Sequence, residues 1–391
     1  MLVGEVWLAS GQSNMAWAVK KTERGEQVLR QATHYPLVRI FAVKPRSLAS
    51  PADGIQPNGP GWATAKGEYL ARFSAVAYYF GRHLQDKLQV PVGLIDATLG
   101  GSRIETWMSE EVLAATEAGP AWDARWEEEV QRRLNQHPDR GPRWRKGVPW
   151  RVRPSGLYNG MIHGLIPYGI RGFIWYQGES NAWDKPENYT ELSAHHIRGW
   201  RDRWQEPLMP FYFVQLSGFS NDKWPAFRQA QLDILDRVPA TAMAVTIDIG
   251  DAGNIHPGNK YDVGGRLARA ALHDVYGFTE IVRHSPLPAG ITKQGNRLVV
   301  TFSEVGAGLR TVDDQAPRTF EVKIEGDGYT EARAVIIGPE TVGLSEFGSG
   351  RPIAVRYGWA AMPDVNLVNG AGLPATPFEM RAVETAGRAG F

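Results

Sequence analysis

The chain contains no cysteine. That excludes disulfides, thiolate metal sites and a cysteine nucleophile, and it leaves the redox compartment undetermined. An excess of either charge is lacking too: 43 Lys and Arg stand against 42 Asp and Glu, a formal net charge of +1, whereas a nucleic-acid partner needs a basic surplus. No apolar run approaches the ~20 residues of a membrane-spanning helix. The opening Met1-Leu2-Val3-Gly4-Glu5 carries neither a basic stretch nor a long apolar core, so no signal peptide is expected in the chain as written and the compartment stays open. There is no internal repeat and no spaced His/Asp/Glu cluster of the kind Zn²⁺ or Mn²⁺ requires. Neither a metal nor another cofactor is therefore expected.

What is present reads as a globular protein of one large domain or two: 391 residues, 43% hydrophobic and 22% charged. Short apolar runs at Val3–Leu8, Val38–Val43, Val92–Thr98, Ile170–Tyr176, Phe211–Leu216 and Met243–Ile249 are near-continuous, as strands buried on both faces are. Helical patterns fill the gaps, at Tyr69–Leu88, Trp107–Leu134, Asn188–Trp204, Ala226–Val238 and Lys260–Tyr276. This alternation predicts an α/β fold with a parallel sheet between helical layers. Beyond Pro286–Pro288 only short alternating runs remain, at Arg297–Phe302, Thr319–Ile324, Ala332–Ile337 and Ile353–Tyr357, which predicts an all-β segment. The expected division is an α/β domain over 1–284 and a β-rich segment over 285–391. Residues 135–155, rich in Arg, Pro and Trp, read as a surface excursion, and Asn188-Tyr189-Thr190 is a glycosylation sequon by pattern.

Four loops at strand carboxyl ends, where open α/β sheets bind their ligands, carry the chemistry. The first holds Ser13 in Ala9-Ser10-Gly11-Gln12-Ser13-Asn14-Met15. A strand ending in a tight turn presents a hydroxyl beside helix-start N–H groups, as an acyl-transfer serine requires; a Ser capping a helix is the plain alternative. The second, Gly100-Gly101-Ser102-Arg103-Ile104-Glu105, lets backbone approach a ligand closely, and the ending of a phosphate loop is absent from it. The third, Gln177-Gly178-Glu179-Ser180-Asn181, offers an amide donor in Gln177 and a carboxylate in Glu179. The fourth, Asp251-Ala252-Gly253-Asn254-Ile255-His256-Pro257, sets a histidine just ahead of a helix, a suitable place for a general base. His163, His195, His196 and His273 fall inside helical patterns and read as packing or surface residues.

These loops, in this order, resemble the sialate O-acetylesterase family of SGNH-type serine hydrolases. The likeness is carried by Gly4–Met15, Pro91-Val92-Gly93-Leu94-Ile95, Gly100–Met108, Tyr158-Asn159-Gly160-Met161-Ile162, Arg171–Asn181, Ile255-His256-Pro257, Ala354–Trp359 and Gly372–Phe378, nearly the whole chain. The resemblance implies a flavodoxin-like three-layer core that removes acetyl groups from sugar hydroxyls, with Ser13 as nucleophile and His256 as base. Ser13 N–H, Gly100 N–H and the Gln177 side chain would form the oxyanion hole. Two departures stand out. The Asp usual three residues before the histidine is replaced by Gly253, so His256 is oriented by Asp251, by a backbone carbonyl near Asn254 or by Glu179; Asp251 is the expectation carried forward. Relatives also carry a β-sandwich module ahead of the serine motif, whereas this sequence starts almost at that motif.

The substrate implied is an acetyl ester of a small sugar or oligosaccharide, most directly O-acetylated sialic acid. Acetylated xylan or another plant polysaccharide is the alternative ester, and a non-catalytic sugar-binding module on an esterase scaffold the alternative of another class. Arg103, Glu179 and Asn181 are the candidate substrate contacts. The Arg103 guanidinium could pair a sugar carboxylate bidentately or be tied to Glu105. No nucleic-acid or membrane partner is expected; self-association is left open, and relatives in this family are often secreted or periplasmic.

Overall fold

The computed structural model describes residues 2–136, 153–183, 186–295 and 297–381. Most of the surface excursion expected over 135–155 lies outside them. The described chain divides into two compact units that interleave along the sequence. One comprises Met1–Val214, Asp233–Ala242 and Gly258–Ala268; the other comprises Gln215–Leu232, Met243–Pro257 and Arg269–Phe391.

The first unit is built on a mostly parallel sheet. The sheet's strands are β1 (Glu5–Gly11), β2 (Val38–Ala42), β3 (Ala63–Thr64), β4 (Val92–Thr98), β5 (Gly172–Tyr176), β6 (Phe211–Val214) and β7 (Thr241–Ala244), in the spatial order β3-β2-β4-β1-β5-β6-β7, with β7 divided between the two units after Ala242. The short edge strand β3 runs antiparallel to β2, whereas β2, β4, β1, β5 and β6 pair in parallel. Every residue of β4 and of β5 is buried, which accounts for their near-continuous apolar sequence. The chain leaves β1 toward β2 and β4 on one side and later crosses to β5 on the other. The carboxyl end of β1 is thus a topological switch point, the place where open α/β sheets take ligands. Register sharpens the point: Gly11 lies level with Thr98 of β4 and with Tyr176 of β5. The turns that follow the three strands leave the sheet together.

The helices are α1 (Gly25–Gln31), α2 (Gly67–Arg72), α3 (Ala75–Leu88), α4 (Glu110–Ala114), α5 (Ala118–Gln136), α6 (Tyr189–Trp204), α7 (Trp224–Leu232), α8 (Ile234–Arg237) and α9 (Lys260–Asp274). The single helix expected over Tyr69–Leu88 is interrupted because Ser74 caps α3, accepting from Ala77 N–H at 3.2 Å. The long pattern at Trp107–Leu134 is likewise broken, with Ser109 capping α4. Trp7 at the sheet centre packs edge-on against Phe80 of α3 at 5.0 Å and stacks with Tyr212 of β6 at 5.8 Å. His196 lies fully buried, its ring 4.7 Å from that of Trp175 and 4.4 Å from that of Trp200. Burial pulls its pKa down to about 3, so it is a neutral packing residue.

The second unit carries β8 (Leu287–Gln294), β9 (Arg297–Ser303), β10 (Leu309–Thr311), β11 (Phe320–Ile324), β12 (Tyr329–Glu331), β13 (Arg333–Gly338), β14 (Thr341–Ser345), β15 (Pro352–Tyr357), β16 (Leu367–Asn369) and β17 (Phe378–Arg381). They form two four-stranded sheets, β13-β14-β9-β8 and β12-β11-β15-β17, and the pair β10-β16, with antiparallel pairing throughout. Alternate residues of β11 are buried, and Val300, Phe320, Val342 and Val355 from the two larger sheets share one apolar core. An α/β body with a parallel sheet, plus antiparallel all-β sheets toward the C-terminus, is the architecture the sequence pattern predicts.

Candidate active site

The turn after β1 is held from several sides within the first unit. Gln12 N–H donates to Tyr176 O at 2.9 Å and Ala16 N–H to Gln12 O at 2.9 Å, while Ser74 Oγ donates to Met15 O at 2.7 Å. Gly11 makes the close approach: its φ is +132°, and a Cβ there would lie 2.2 Å from Tyr176 O. Ser13 sits at the top of this turn, and the turn after β4 comes up beside it. A Cβ built on Gly100 would stand 3.4 Å from Ser13 Cβ, so Gly100 brings bare backbone against the serine. No hydrogen bond uses the Gly100 N–H among the described residues.

The turn after β5 completes a buried polar network. Gln177 is wholly buried, and its amide Nε2 lies within reach of Gln12 Oε1 at 3.1 Å, Asn181 Oδ1 at 2.7 Å and Ser102 O at 3.3 Å. Tyr189 Oη donates to Gln177 Oε1 at 2.8 Å. The amide expected to face an oxyanion is thus engaged with its own chain and holds the turns after β1, β4 and β5 together. Asn181 also donates to Glu105 Oε2 at 3.0 Å and accepts from Ile104 N–H at 3.1 Å. Arg103 donates to Glu105 Oε1 at 3.2 Å and to Ser180 O at 3.0 Å, with its guanidinium carbon 4.4 Å from the Trp122 ring centre. Of the two readings of Arg103 raised by the sequence, the pairing with Glu105 is what the structure contains.

Sequence reasoning passed over two residues beside the serine. Asn14 Nδ2 donates to Glu179 Oε1, and Asn14 Oδ1 accepts from Lys260 Nζ at 2.5 Å. Glu179 and Lys260 are both buried. Burial raises the Glu179 pKa, opposed by the Asn14 hydrogen bond and the Lys260 charge. Burial likewise pushes the Lys260 pKa down to about 7, opposed by Glu179 and Glu23. Lys260 Nζ lies 5.5 Å from the Tyr176 ring centre and 6.0 Å from that of Trp17. In the sequence Lys260 is one lysine at a helix start, indistinguishable from a solvated one.

The candidate base and acid belong to the second unit. Asp251 N–H donates to Gly218 O at 3.2 Å, and Asp251 Oδ1 accepts from Gly253 N–H at 2.8 Å. Asn254 Oδ1 accepts from His256 N–H at 2.9 Å. These side-chain-to-backbone bonds fold the loop on itself ahead of Pro257. Among the described residues no group of three His, Asp or Glu side chains could hold a metal ion, and no helix is long and apolar enough to cross a membrane.

Known proteins give this arrangement a family. Residues 142–273 match the family model described as carbohydrate esterase, sialic acid-specific acetylesterase. The mouse sialate O-acetylesterase is 31% identical over 93% of this chain and 74% of its own length. The chain belongs to the sialate O-acetylesterase family. The human sialate O-acetylesterase is 29% identical, with 93% of this chain and 71% of its own length covered. A carbohydrate acetylesterase from Xanthomonas citri superposes with a TM-score of 0.83 at 34% identity, covering 97% of this chain and 81% of that one. As a member of a carbohydrate esterase family, the chain is a carboxylic ester hydrolase.

Proposed function

We propose that this esterase removes O-acetyl groups from sialic acid or a related sugar, as a small molecule or an oligosaccharide, by serine acyl transfer. Ser13 Oγ attacks the acetyl carbonyl while His256 takes the hydroxyl proton. The tetrahedral oxyanion is held by Ser13 N–H and Gly100 N–H. Collapse breaks the ester C–O bond, and His256 returns the proton to the departing sugar hydroxyl. Water, deprotonated by His256, then attacks the acetyl-Ser13 carbonyl; the acyl C–Oγ bond breaks, His256 returns the proton to Ser13 Oγ, and acetate leaves. Asp251 is the acid assigned to orient His256. Gln177, the third oxyanion donor expected from the resemblance, is assigned the support of that wall, because its amide protons already have in-chain acceptors.

The observation that carries this reading is the juxtaposition of Gly100 and Ser13. Gly100 comes up against Ser13 without a side chain at the switch point of the sheet, which supports its backbone amide as a donor to a developing oxyanion. Replacing Ser13 by Ala tests it. Acetate release should fall by roughly 10⁶-fold, the scale for loss of a serine nucleophile, with the circular dichroism spectrum unchanged. A serine-reactive phosphonate should label Ser13 in the native enzyme. Labelling of another residue, or ample activity in the variant, would refute the assignment.

A further inference from the structure

Within the second unit, the loop that carries Asp251 and His256 is reached by a chain of contacts that starts at a buried arginine. Arg228 lies on α7 and is fully buried. Its Nη2 donates to Ala360 O, and its Nη1 donates to Ala361 O at 3.4 Å. No carboxylate pairs with it among the described residues. Burial pulls its pKa down to about 9, so the guanidinium stays charged at neutral pH. A buried charge is costly unless its donors are satisfied. Two main-chain carbonyls offset that cost at Nη1 and Nη2, while Nε has no acceptor.

Both carbonyls belong to the turn that follows β15, part of the antiparallel sheets. Ala361 O also accepts from Phe219 N–H at 3.2 Å, and a Cβ added to Gly218 would strike the Met362 sulfur. Gly218 O in turn accepts from Asp251 N–H at 3.2 Å, and a Cβ added to Gly250 would strike the Gly218 backbone. The segment before Gly218 is tied to α7 as well. Gln215 Nε2 donates to Arg228 O at 3.0 Å, Leu216 N–H to Gln231 Oε1 at 2.8 Å and Trp224 Nε1 to Ser217 O at 3.0 Å. Arg228 thus closes a ring made of α7, the turn after β15 and the Gly218 segment, and the Asp251 backbone rests on that ring.

Arg201, in the first unit, provides a contrast. It is also buried and grips two carbonyls, Met209 O at 2.8 Å and Ala240 O at 2.9 Å. Those carbonyls precede β6 and β7, at the amino ends of the strands, whereas the candidate chemistry lies beyond carboxyl ends.

We propose that Arg228 is a positioning residue for the acid–base loop, acting through the turn Ala360–Met362, and that the antiparallel sheets thereby take part in catalysis. The inference rests on the assignment of His256 and Asp251 given above and adds to it a side chain too deeply buried to meet substrate.

The test is steady-state kinetics on 4-nitrophenyl acetate with the full chain. Expressing kcat per Ser13 labelled by the phosphonate removes misfolded enzyme from the comparison. Arg228→Met should lower kcat per labelled site roughly 10- to 100-fold with KM little changed, the scale for a displacement of about 1 Å near a reacting group. Arg228→Lys keeps the charge but loses the planar fork, so it should fall between, roughly 3- to 10-fold below wild type; it decides the matter if the methionine variant does not fold. Arg201→Met should lower the melting temperature and leave kcat per labelled site within about twofold of wild type, because a structural grip affects stability alone. Wild-type kcat in Arg228→Lys, or an equal kcat loss in Arg201→Met, would overturn the proposal. Full kcat in His256→Ala would instead overturn the base assignment on which it rests.

Discussion

Lys260 Nζ donates to Asn14 Oδ1 at 2.5 Å, so a buried ammonium at the start of a helix grips the residue that follows Ser13. Asn14 passes the contact on to Glu179. The first turn of α9, the turn after β1 and the turn after β5 are joined by one polar chain inside the first unit. Neither end of that chain is solvated, and each charged form depends on the other.

Lys260→Met removes this grip while keeping much of the side-chain volume. If the turn that carries Ser13 relaxes, kcat should fall roughly 10- to 100-fold with KM little changed, since a displacement of about 1 Å at a reacting group costs on that order. Steady-state kinetics on 4-nitrophenyl acetate read the split. An unaltered kcat would show that the turn holds its shape without the lysine.

The same lysine imposes a pH dependence on stability. Its pKa is pushed down to about 7 from 10.5, so between these values the unfolded chain binds a proton that the folded chain does not. Stability therefore gains from rising pH across that window, and the full burial penalty applies below it. Glu179 and Glu23 face the ammonium and moderate the shift. The melting temperature of the wild type relative to Lys260→Met should climb from about pH 7 toward about pH 10 and stay flat below about pH 6. A difference independent of pH across that range would show that the lysine titrates normally.

Gly11 is the position least able to take a side chain in the nucleophile turn. Its Cβ would strike the Tyr176 carbonyl oxygen at a φ of +132°. Gly11→Ala should destabilise the fold by roughly 2–5 kcal/mol, from backbone strain and overpacking together, visible as a lowered thermal midpoint. An unchanged midpoint would mean that β1 and β5 separate at no cost.

Much of this was legible beforehand. The strands of the parallel sheet are long apolar runs because both faces are covered, and such runs survive without tertiary information. The position of Ser13, Gly100 and Gln177 at neighbouring strand ends was legible for a related reason: each follows one of those strands, and parallel register brings the strand ends level. Helix interruptions at Ser74 and Ser109 were harder to see, since one side-chain cap overrides a helical pattern that continues on both sides. The engagement of the Gln177 amide and the roles of Asn14 and Lys260 were invisible. They depend on which side chains meet across more than a hundred residues of sequence, and no local pattern records that.

The orienting group of His256 is open to a direct measurement. Asp251→Asn should cut kcat/KM steeply, up to about 10⁴-fold, if Asp251 holds the imidazole in its productive tautomer. Its Oδ1 already caps Gly253 N–H, an acceptor role that the amide oxygen of Asn can keep, so the loop should retain its fold. A loss of only a few-fold would pass the role to a main-chain carbonyl near Asn254 or to Glu179.

Serine chemistry also requires no metal. Acetate release should persist after exhaustive dialysis against EDTA; chelator-sensitive activity restored by a divalent ion would contradict the mechanism.

Asn188 gives the choice of expression host a structural meaning. It lines a cavity of about 340 Å³ within the first unit, beside Arg103, Trp122 and Asn181, and with Tyr189 and Thr190 it forms an acceptor sequence for N-linked glycans. A eukaryotic secretory pathway would attach a branched oligosaccharide directly to the cavity lining. Enzyme made by that route would carry a glycan at the rim of this cavity, whereas bacterial cytoplasmic material would not. Preparations from the two sources should therefore differ in the access this cavity offers to solutes, even with identical amino-acid sequences.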